Sequence, residues 1–259
     1  MGIAIVTGAS SGLGWEFVQQ LSRNYPHLEE IWAVARRKER LERLQEKCNV
    51  KIRPVCLDLT EEAALKELES MLCRERKKVC FLINCAGFGK TGGAGQIKWQ
   101  SQAEMCRLNT EALTAVTCIA LPYMVQRGRI LEASSSAAFL PQPGFAAYAA
   151  SKSYVLSFSR ALHQEMKPRR ITVTAVCPGP MRTEFFLRAS GKAELSGIKR
   201  YFMAKPGKVA AKALRDASRG KDISVYGISM KLLRAASKAL PHALLLPLVR
   251  LVSWENTEK

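Results

Sequence analysis

The chain is 259 residues long and 47% hydrophobic, which suits one α/β domain with a sizeable core and excludes a disordered chain. At 24% charged residues it is too polar for a membrane bundle. A net charge of +18 favours anionic partners, but no zinc-finger or RNP-type motif accompanies it, so no nucleic-acid partner is expected.

The chain opens "MGIAIVTG", a strand pattern over 3–8, and no secretory leader is expected. Val6 stands where a myristoylation motif has Ser or Thr, so Gly2 is expected to stay unmodified. The strand ends at Gly8, and "ASSGLG" leads into a helix pattern at 13–24. Glycines at 8, 12 and 14 let a turn tighten and let backbone amides approach a pyrophosphate, and the following helix N-terminus adds partial positive charge. Gly8, Ser10, Ser11, Gly12, Leu13 and Gly14 are the predicted cradle. A tight βα turn is the plainer reading.

The second strand pattern, 30–36, ends "AVARRK". A dinucleotide site often carries an acid here for the adenosine ribose, yet no carboxylate occurs between Ile31 and Lys38. A guanidinium binds a 2′-phosphate that a carboxylate would repel. Arg36 is therefore the predicted contact, and NADP(H) the predicted cofactor. Arg37 and Lys38 read equally as a solvated helix start.

Helix 38–47 precedes strand 50–59, which ends "CLDL". There Asp58 is placed to accept from adenine and Leu59 to present backbone, although Asp58 also reads as a helix cap. Helix 60–76 leads to strand 79–87. Asn84, Ala86 and Gly87 close that strand, small enough for backbone to pass near a ribose. Helix 100–126 and strand 129–135 follow, the strand ending in Ser134, Ser135 and Ser136.

Helix 145–167 carries Tyr148 and Lys152 four residues apart, on one face. An ammonium beside a phenol, together with a nicotinamide's positive charge, lowers the phenol's pKa. Such a tyrosine can give a proton to a carbonyl oxygen as hydride arrives. Lys152 can also hold ribose hydroxyls. A strand at 171–179, a helix at 206–218 and a short strand at 223–227 complete the series.

This alternation predicts a doubly wound, three-layer Rossmann-type α/β fold with a seven-stranded parallel sheet, as a single domain over 1–259. Residues 177–203 interrupt it as a loop with short helices. Residues 228–254 are basic and apolar, and Pro241 and Pro247 break them too often for a spanning helix. Eight scattered cysteines without a CxxC pair read as free thiols of a reducing cytoplasm, and the spread of three histidines suggests no metal site.

Together "TGASSGLG", "NCAG", "YAASK" and "CPGPMRT" resemble the short-chain dehydrogenase/reductase family over roughly residues 1–185. "NCAG" differs from that family's motif by Cys85 between Asn84 and Ala86. The resemblance implies Tyr148 as general acid/base and Lys152 as its modulator and ribose ligand. It implies Ser135, thirteen residues before the tyrosine, as the substrate-oxygen donor. Asn109 falls where the family keeps an asparagine that shapes a water-linked path to the lysine, although it also reads as a polar residue mid-helix. Pro178, Gly179, Met181 and Thr183 would line the nicotinamide, and Arg36 would be the basic residue of NADP-preferring members. Glu132 departs from the pattern, since many relatives carry asparagine there.

The expected activity is reversible NADP(H)-dependent interconversion of a ketone and a secondary alcohol. Residues 183–203 form the expected lid, with Phe185, Phe186, Leu187, Tyr201, Phe202 and Met203. Phe139, Leu140, Pro141 and Phe145 flank the serine side. This apolar lining points to a lipophilic substrate, hydroxysteroids among the candidates. A homo-oligomer, dimer or tetramer, is expected. The C-terminal segment 228–259 is expected to pack on its own domain rather than on a membrane. A cofactor-sensing regulator without the reaction is the alternative, and an intact Ser-Tyr-Lys set argues against it.

Overall fold

The computed structural model describes residues 2–181, 183–185, 189 and 203–254. Seven parallel strands lie in the order β3-β2-β1-β4-β5-β6-β7. They are β1 (Ile3–Thr7), β2 (Ile31–Ala35), β3 (Ile52–Cys56), β4 (Val79–Asn84), β5 (Met124–Ala133), β6 (Thr172–Val176) and β7 (Ile223–Ser224). The helices are α1 (Gly12–Asn24), α2 (Lys38–Gln45), α3 (Glu62–Glu75), α4 (Trp99–Cys106), α5 (Leu113–Ala120), α6 (Ala146–Glu165), α7 (Pro206–Ser218), α8 (Ile228–Ala239) and α9 (His242–Trp254).

The central strands are largely apolar because both faces are covered, with Thr7, Asn84 and Glu132 as polar positions toward their carboxyl ends. In β1, Ala4 and Val6 meet α1 and α7 through Phe17, Leu21, Val209 and Ala213. Ile3 and Ile5 point the other way, into a second cluster with Leu68 and Leu72 of α3, Val116 of α5 and Leu162 of α6. The strand order reverses between β1 and β4, which opens a crevice at their carboxyl ends.

The helix predicted over 100–126 divides. A π-helical turn, Arg107–Ala112, joins α4 to α5, and a 3-10 turn, Leu121–Tyr123, ends the run before β5. Pro122 explains that end, since it lacks an amide proton and its ring crowds the preceding turn. Within β5, Arg127 has φ 62°, and the pairing with β4 shifts register between Val79 and Phe81. Pro241 separates α8 from α9. Of the predicted lid, residues 186–188 and 190–202 lie outside the described residues, among them Phe186, Leu187, Tyr201 and Phe202.

Candidate active site

The ends of β1 and β4 are stitched together by one hydroxyl. Thr7 Oγ1 accepts from the amides of Cys85 (3.1 Å) and Ala86 (3.2 Å) and donates to Asn84 Oδ1 (3.3 Å). Gly8 turns the chain there with φ 65°, and a Cβ on it would stand 2.7 Å from the Ala86 nitrogen. The predicted cradle Ser10, Ser11, Gly12, Leu13 and Gly14 follows as a turn into α1. Ser11 makes no side-chain cap, so it does not compete for the first amides of α1.

A cationic corner adjoins this turn. Arg36 Nη1 pairs with Asp58 Oδ2 at 3.2 Å. Asp58 Oδ1 accepts from both the Thr60 amide (3.1 Å) and hydroxyl (2.7 Å). Burial pushes the Asp58 carboxyl up, but the bonds from Thr60 and Arg36 prevail and hold it below the usual range. Asp58 thus closes a turn on Thr60 while it faces Arg36, and it does not cap α3, whose N-cap residue is Glu61. The Leu59 side chain belongs to the core.

Arg37 is more than a solvated helix start. Its Nε and Nη2 donate to Ser10 Oγ at 3.2 and 3.0 Å, and its Nη1 reaches Glu184 Oε2 at 3.0 Å. Arg40 holds the other oxygen of Glu184. Hydrogen bonds from Arg40 and Arg37 keep the Glu184 carboxyl low.

Across the crevice, Tyr148 and Lys152 are both buried on α6. Lys152 Nζ donates to Ala133 O at 2.8 Å and stands 5.7 Å from the centre of the Tyr148 ring. Ser134 Oγ donates to Lys152 O, which ties α6 to the end of β5, while Ser151 Oγ donates to Tyr148 O within the helix. Ser135 Oγ accepts from the Ala137 amide at 3.1 Å. Asn109 sits in the π-helical turn, a geometry frequent at functional sites. Its Nδ2 donates to Phe88 O and Ser151 Oγ, both at 3.0 Å, and its Oδ1 accepts from the Phe88 amide. Gly87 touches the whole group, for a Cβ there would lie 2.7 Å from Asn109 Oδ1 and 3.3 Å from Lys152 Nζ.

Burial pushes the Tyr148 phenol up to about 12, opposed by a hydrogen bond with Ser135. The Lys152 ammonium donates to Ala133 O, and the expected lowering of the phenol rests on it together with a nicotinamide's charge. Burial also takes Lys152 down to about 8, against the pull of Cys85, Glu132 and Cys177. The chain's own groups therefore hold Tyr148 as a protonated donor at neutral pH.

Glu132, the departure from the family pattern, is wholly buried. Its Oε1 accepts from Thr117 Oγ1 (3.0 Å) and Asn84 Nδ2 (3.3 Å), while Oε2 has no partner among the described residues. Burial pushes its carboxyl up to about 7, against Thr117, Asn84 and the charge of Lys152.

The space around Tyr148 is aromatic. Phe145 stacks on its ring at 4.2 Å and Phe185 tilts over it at 5.4 Å, with Phe88 and Met105 in the same cluster. Phe139 takes another course and packs into the cluster of Ala175, Cys177, Ile223 and Val225 at the sheet edge. Leu140 is buried, whereas Pro141 is exposed. Among the residues expected along the nicotinamide, Pro178 O accepts from the Ser136 amide, Met181 bridges to Ala204, Thr183 lies against Gly12, and Gly179 abuts Met230 of α8. Sequence reasoning missed Thr7, Arg40 and Glu184. Only the clustering of Arg36, Arg37 and Arg40 signalled the last pair.

A doubly wound sheet with a glycine turn at its switch point and a Ser-Tyr-Lys set opposite defines an oxidoreductase class, and the family model for the short chain dehydrogenase matches residues 2–193. The chain belongs to the short-chain dehydrogenase/reductase family. Serine 3-dehydrogenase of Rhizobium radiobacter is 32% identical over 201 residues, 75% of this chain and 78% of that one. The structure of a short-chain dehydrogenase from Sphingobium yanoikuyae in complex with NADPH aligns at 29% identity and a TM-score of 0.79, over 92% of this chain and 94% of that one. The bulky-bulky ketone specific alcohol dehydrogenase from Comamonas testosteroni aligns at 27% identity and a TM-score of 0.73, over 92% of each chain.

Proposed function

We propose that this protein interconverts a ketone and a secondary alcohol with NADP(H) as its cofactor. The convergence of Asn109, Lys152 and Gly87 beside Tyr148, opposite the Gly8–Gly14 turn, carries this reading. The residues fit a phosphorylated dinucleotide. Gly8 and Gly12 hold positive φ, Arg37 is anchored on Ser10, and Arg36 lies next to it. The NADPH-bound relative from Sphingobium supports the same choice.

Ser10, Ser11, Gly12, Leu13 and Gly14 would hold the pyrophosphate, Arg36 and Arg37 a 2′-phosphate, and Asp58 with Leu59 the adenine. Asn84, Ala86, Gly87 and Lys152 would hold the ribose end, and Pro178, Gly179, Met181 and Thr183 the nicotinamide. The bound nicotinamide supplies or accepts hydride at the substrate carbon. Ser135 and Tyr148 orient the substrate oxygen, and the protonated Tyr148 hydroxyl donates to it. Lys152, with three donor hydrogens and one committed to Ala133 O, has two left for ribose hydroxyls. Asn109, held by Phe88 and Ser151, keeps the approach to Lys152 polar.

The substrate is proposed to be lipophilic. Phe88, Phe145 and Phe185 gather around the tyrosine, a poor setting for a charged hydroxy acid such as the substrate that names the serine 3-dehydrogenase relative. A bulky ketone, ketosteroids included, fits better. We place the protein in the cytoplasm as a homo-oligomer, in keeping with eight unpaired cysteines.

Tyr148→Phe tests the reaction. It should lower kcat/KM by about 10²- to 10⁴-fold while leaving NADPH affinity unchanged. Retained turnover removes Tyr148 from its role. An NADPH-oxidation screen over ketosteroids, simple ketones, sugars and 3-oxo acids tests the substrate class, and a preference for the polar compounds refutes the lipophilic assignment.

A further inference from the structure

The proposed chemistry leaves the two C-terminal helices without a role. From Ile228 to Trp254 the sequence contains Lys231, Arg234, Lys238 and Arg250 but no Asp or Glu. One side of α8 packs on the domain as expected. Met230 and Leu233 cover Phe139, Cys177 and Ile223. With 3.6 residues per turn, positions 228, 231, 232, 235, 238 and 239 share the other side. All six are exposed.

That outer side combines Ile228, 77% exposed, and Leu232, 65% exposed, with Lys231 and Lys238. Past Pro241 toward and onto α9, Leu240 and Leu244 are 45% and 64% exposed as well. Four of the six large apolar side chains exposed among the described residues thus lie between Ile228 and Leu244. Lys231, Arg234 and Lys238 also line a groove of about 520 Å³ shared with Lys212 and Lys221. Lys212 and Lys221 are held by Asp216, and Asp222 is held by Arg160. Among the described residues no carboxylate pairs with Lys231, Arg234 or Lys238.

A second copy of the chain does not suit this face. A two-fold contact would set this cationic patch against its own copy, on a chain of net charge +18 with no carboxylate between Ile228 and Trp254. An anionic bilayer suits both halves of it. Negative headgroups match the cations, and the acyl boundary accepts the exposed leucines and isoleucine. Among the described residues no helix is long and apolar enough to cross a membrane, so the contact is lateral. We propose that α8 and α9 dock this protein on the surface of an anionic lipid bilayer. Lys231 and Lys238 meet the headgroups, with half-buried Arg234 in the adjoining groove adding its charge, while Ile228, Leu232, Leu240 and Leu244 enter the interface. This holds whether or not Tyr148 performs the reaction above.

Co-sedimentation of the full chain with phosphatidylcholine vesicles, with and without phosphatidylglycerol, tests it. The protein should pellet with the anionic vesicles only, and less as salt rises. Lys231→Gln, Arg234→Gln and Lys238→Gln together should weaken partitioning on the order of a hundredfold. Leu232→Ser with Leu244→Ser should weaken it by about tenfold or more. Thermal unfolding and NADPH affinity matching the parent establish that each variant is folded. Pelleting that ignores lipid charge, no pelleting with either vesicle, or variants that bind as the parent does would each overturn the proposal. So would sedimentation velocity in which the Leu232→Ser, Leu244→Ser variant falls from an oligomer to a monomer, which assigns the face to a second copy.

Discussion

Replacing Glu132 by Gln should remove a pH dependence of stability that one buried carboxyl imposes. In the unfolded chain that carboxyl titrates near 4.5, whereas in the folded protein burial raises it to about 7. Below about pH 4.5 it is protonated in both states and folding carries no penalty from it. Between there and about pH 7 the unfolded chain has lost the proton that the folded chain keeps, so stability falls as pH rises, and the loss is complete above about pH 7. At about 1.36 kcal/mol per pKa unit, the difference amounts to about 3 kcal/mol. Lys152, with its pKa taken down to about 8, keeps its charge across most of this window and leaves the slope to Glu132. Glutamine keeps the shape and an acceptor for Thr117 and Asn84 but adds an amide donor where Oε2 has no partner. That donor costs about 1–3 kcal/mol at every pH. The assay is urea unfolding of both proteins at fixed concentration from pH 5 to 7.5. The wild type should lose about 2.4 kcal/mol more than the variant across that range, the rest of the difference falling below pH 5. Parallel curves would show that Glu132 is ionised in the folded protein well below pH 7, and would refute this account of its burial.

Gly87→Ala should impair the Lys152 end of the site, because the new methyl meets Asn109 Oδ1 and Lys152 Nζ. Its kcat/KM should drop by about tenfold or more, at one to three kilocalories of displacement, and wild-type kinetics would contradict the packing described. Arg36→Asp should erode preference for NADPH over NADH in steady-state kinetics, and an unchanged ratio would move the phosphate contact elsewhere. Glu184→Gln should shift the affinity ratio of 2′,5′-ADP to 5′-AMP in titration calorimetry, since it frees Arg37 and Arg40 from a carboxylate. An unaltered ratio would detach Glu184 from the anion corner.

The strand and helix series was legible because strands buried on both faces are near-continuous apolar runs, and several run into a glycine or a serine, as β1 does at Gly8 and β5 at Ser134. Tyr148 and Lys152 stood out for a local reason, since four-residue spacing puts them on one helix face. The strand end offered three serines, and only the family resemblance picked Ser135 among them. Pro122, which ends the helix before β5, was also in view, yet the apolar flow of "TAVTCIALPYM" masked its consequence. Glu132 was visible as a charge inside a core strand. Its partners, Asn84 and Thr117, come from separate elements and could not be read from spacing. Arg37 is 27 residues from Ser10 and 147 from Glu184, so only the folded chain joins them.

Those long-range contacts bear on how the two halves of the site act together. Three consecutive residues after β6 touch both halves. Thr183 rests against Gly12 of the phosphate turn, Glu184 is held by Arg37 and Arg40, and Phe185 lies over the ring of Tyr148. Neighbours in a chain cannot move independently by more than a few ångströms. The arginine corner thus lies at one end of this short strap and the ring of Tyr148 at the other, so Phe185 is tied through Glu184 to Arg37 and Arg40.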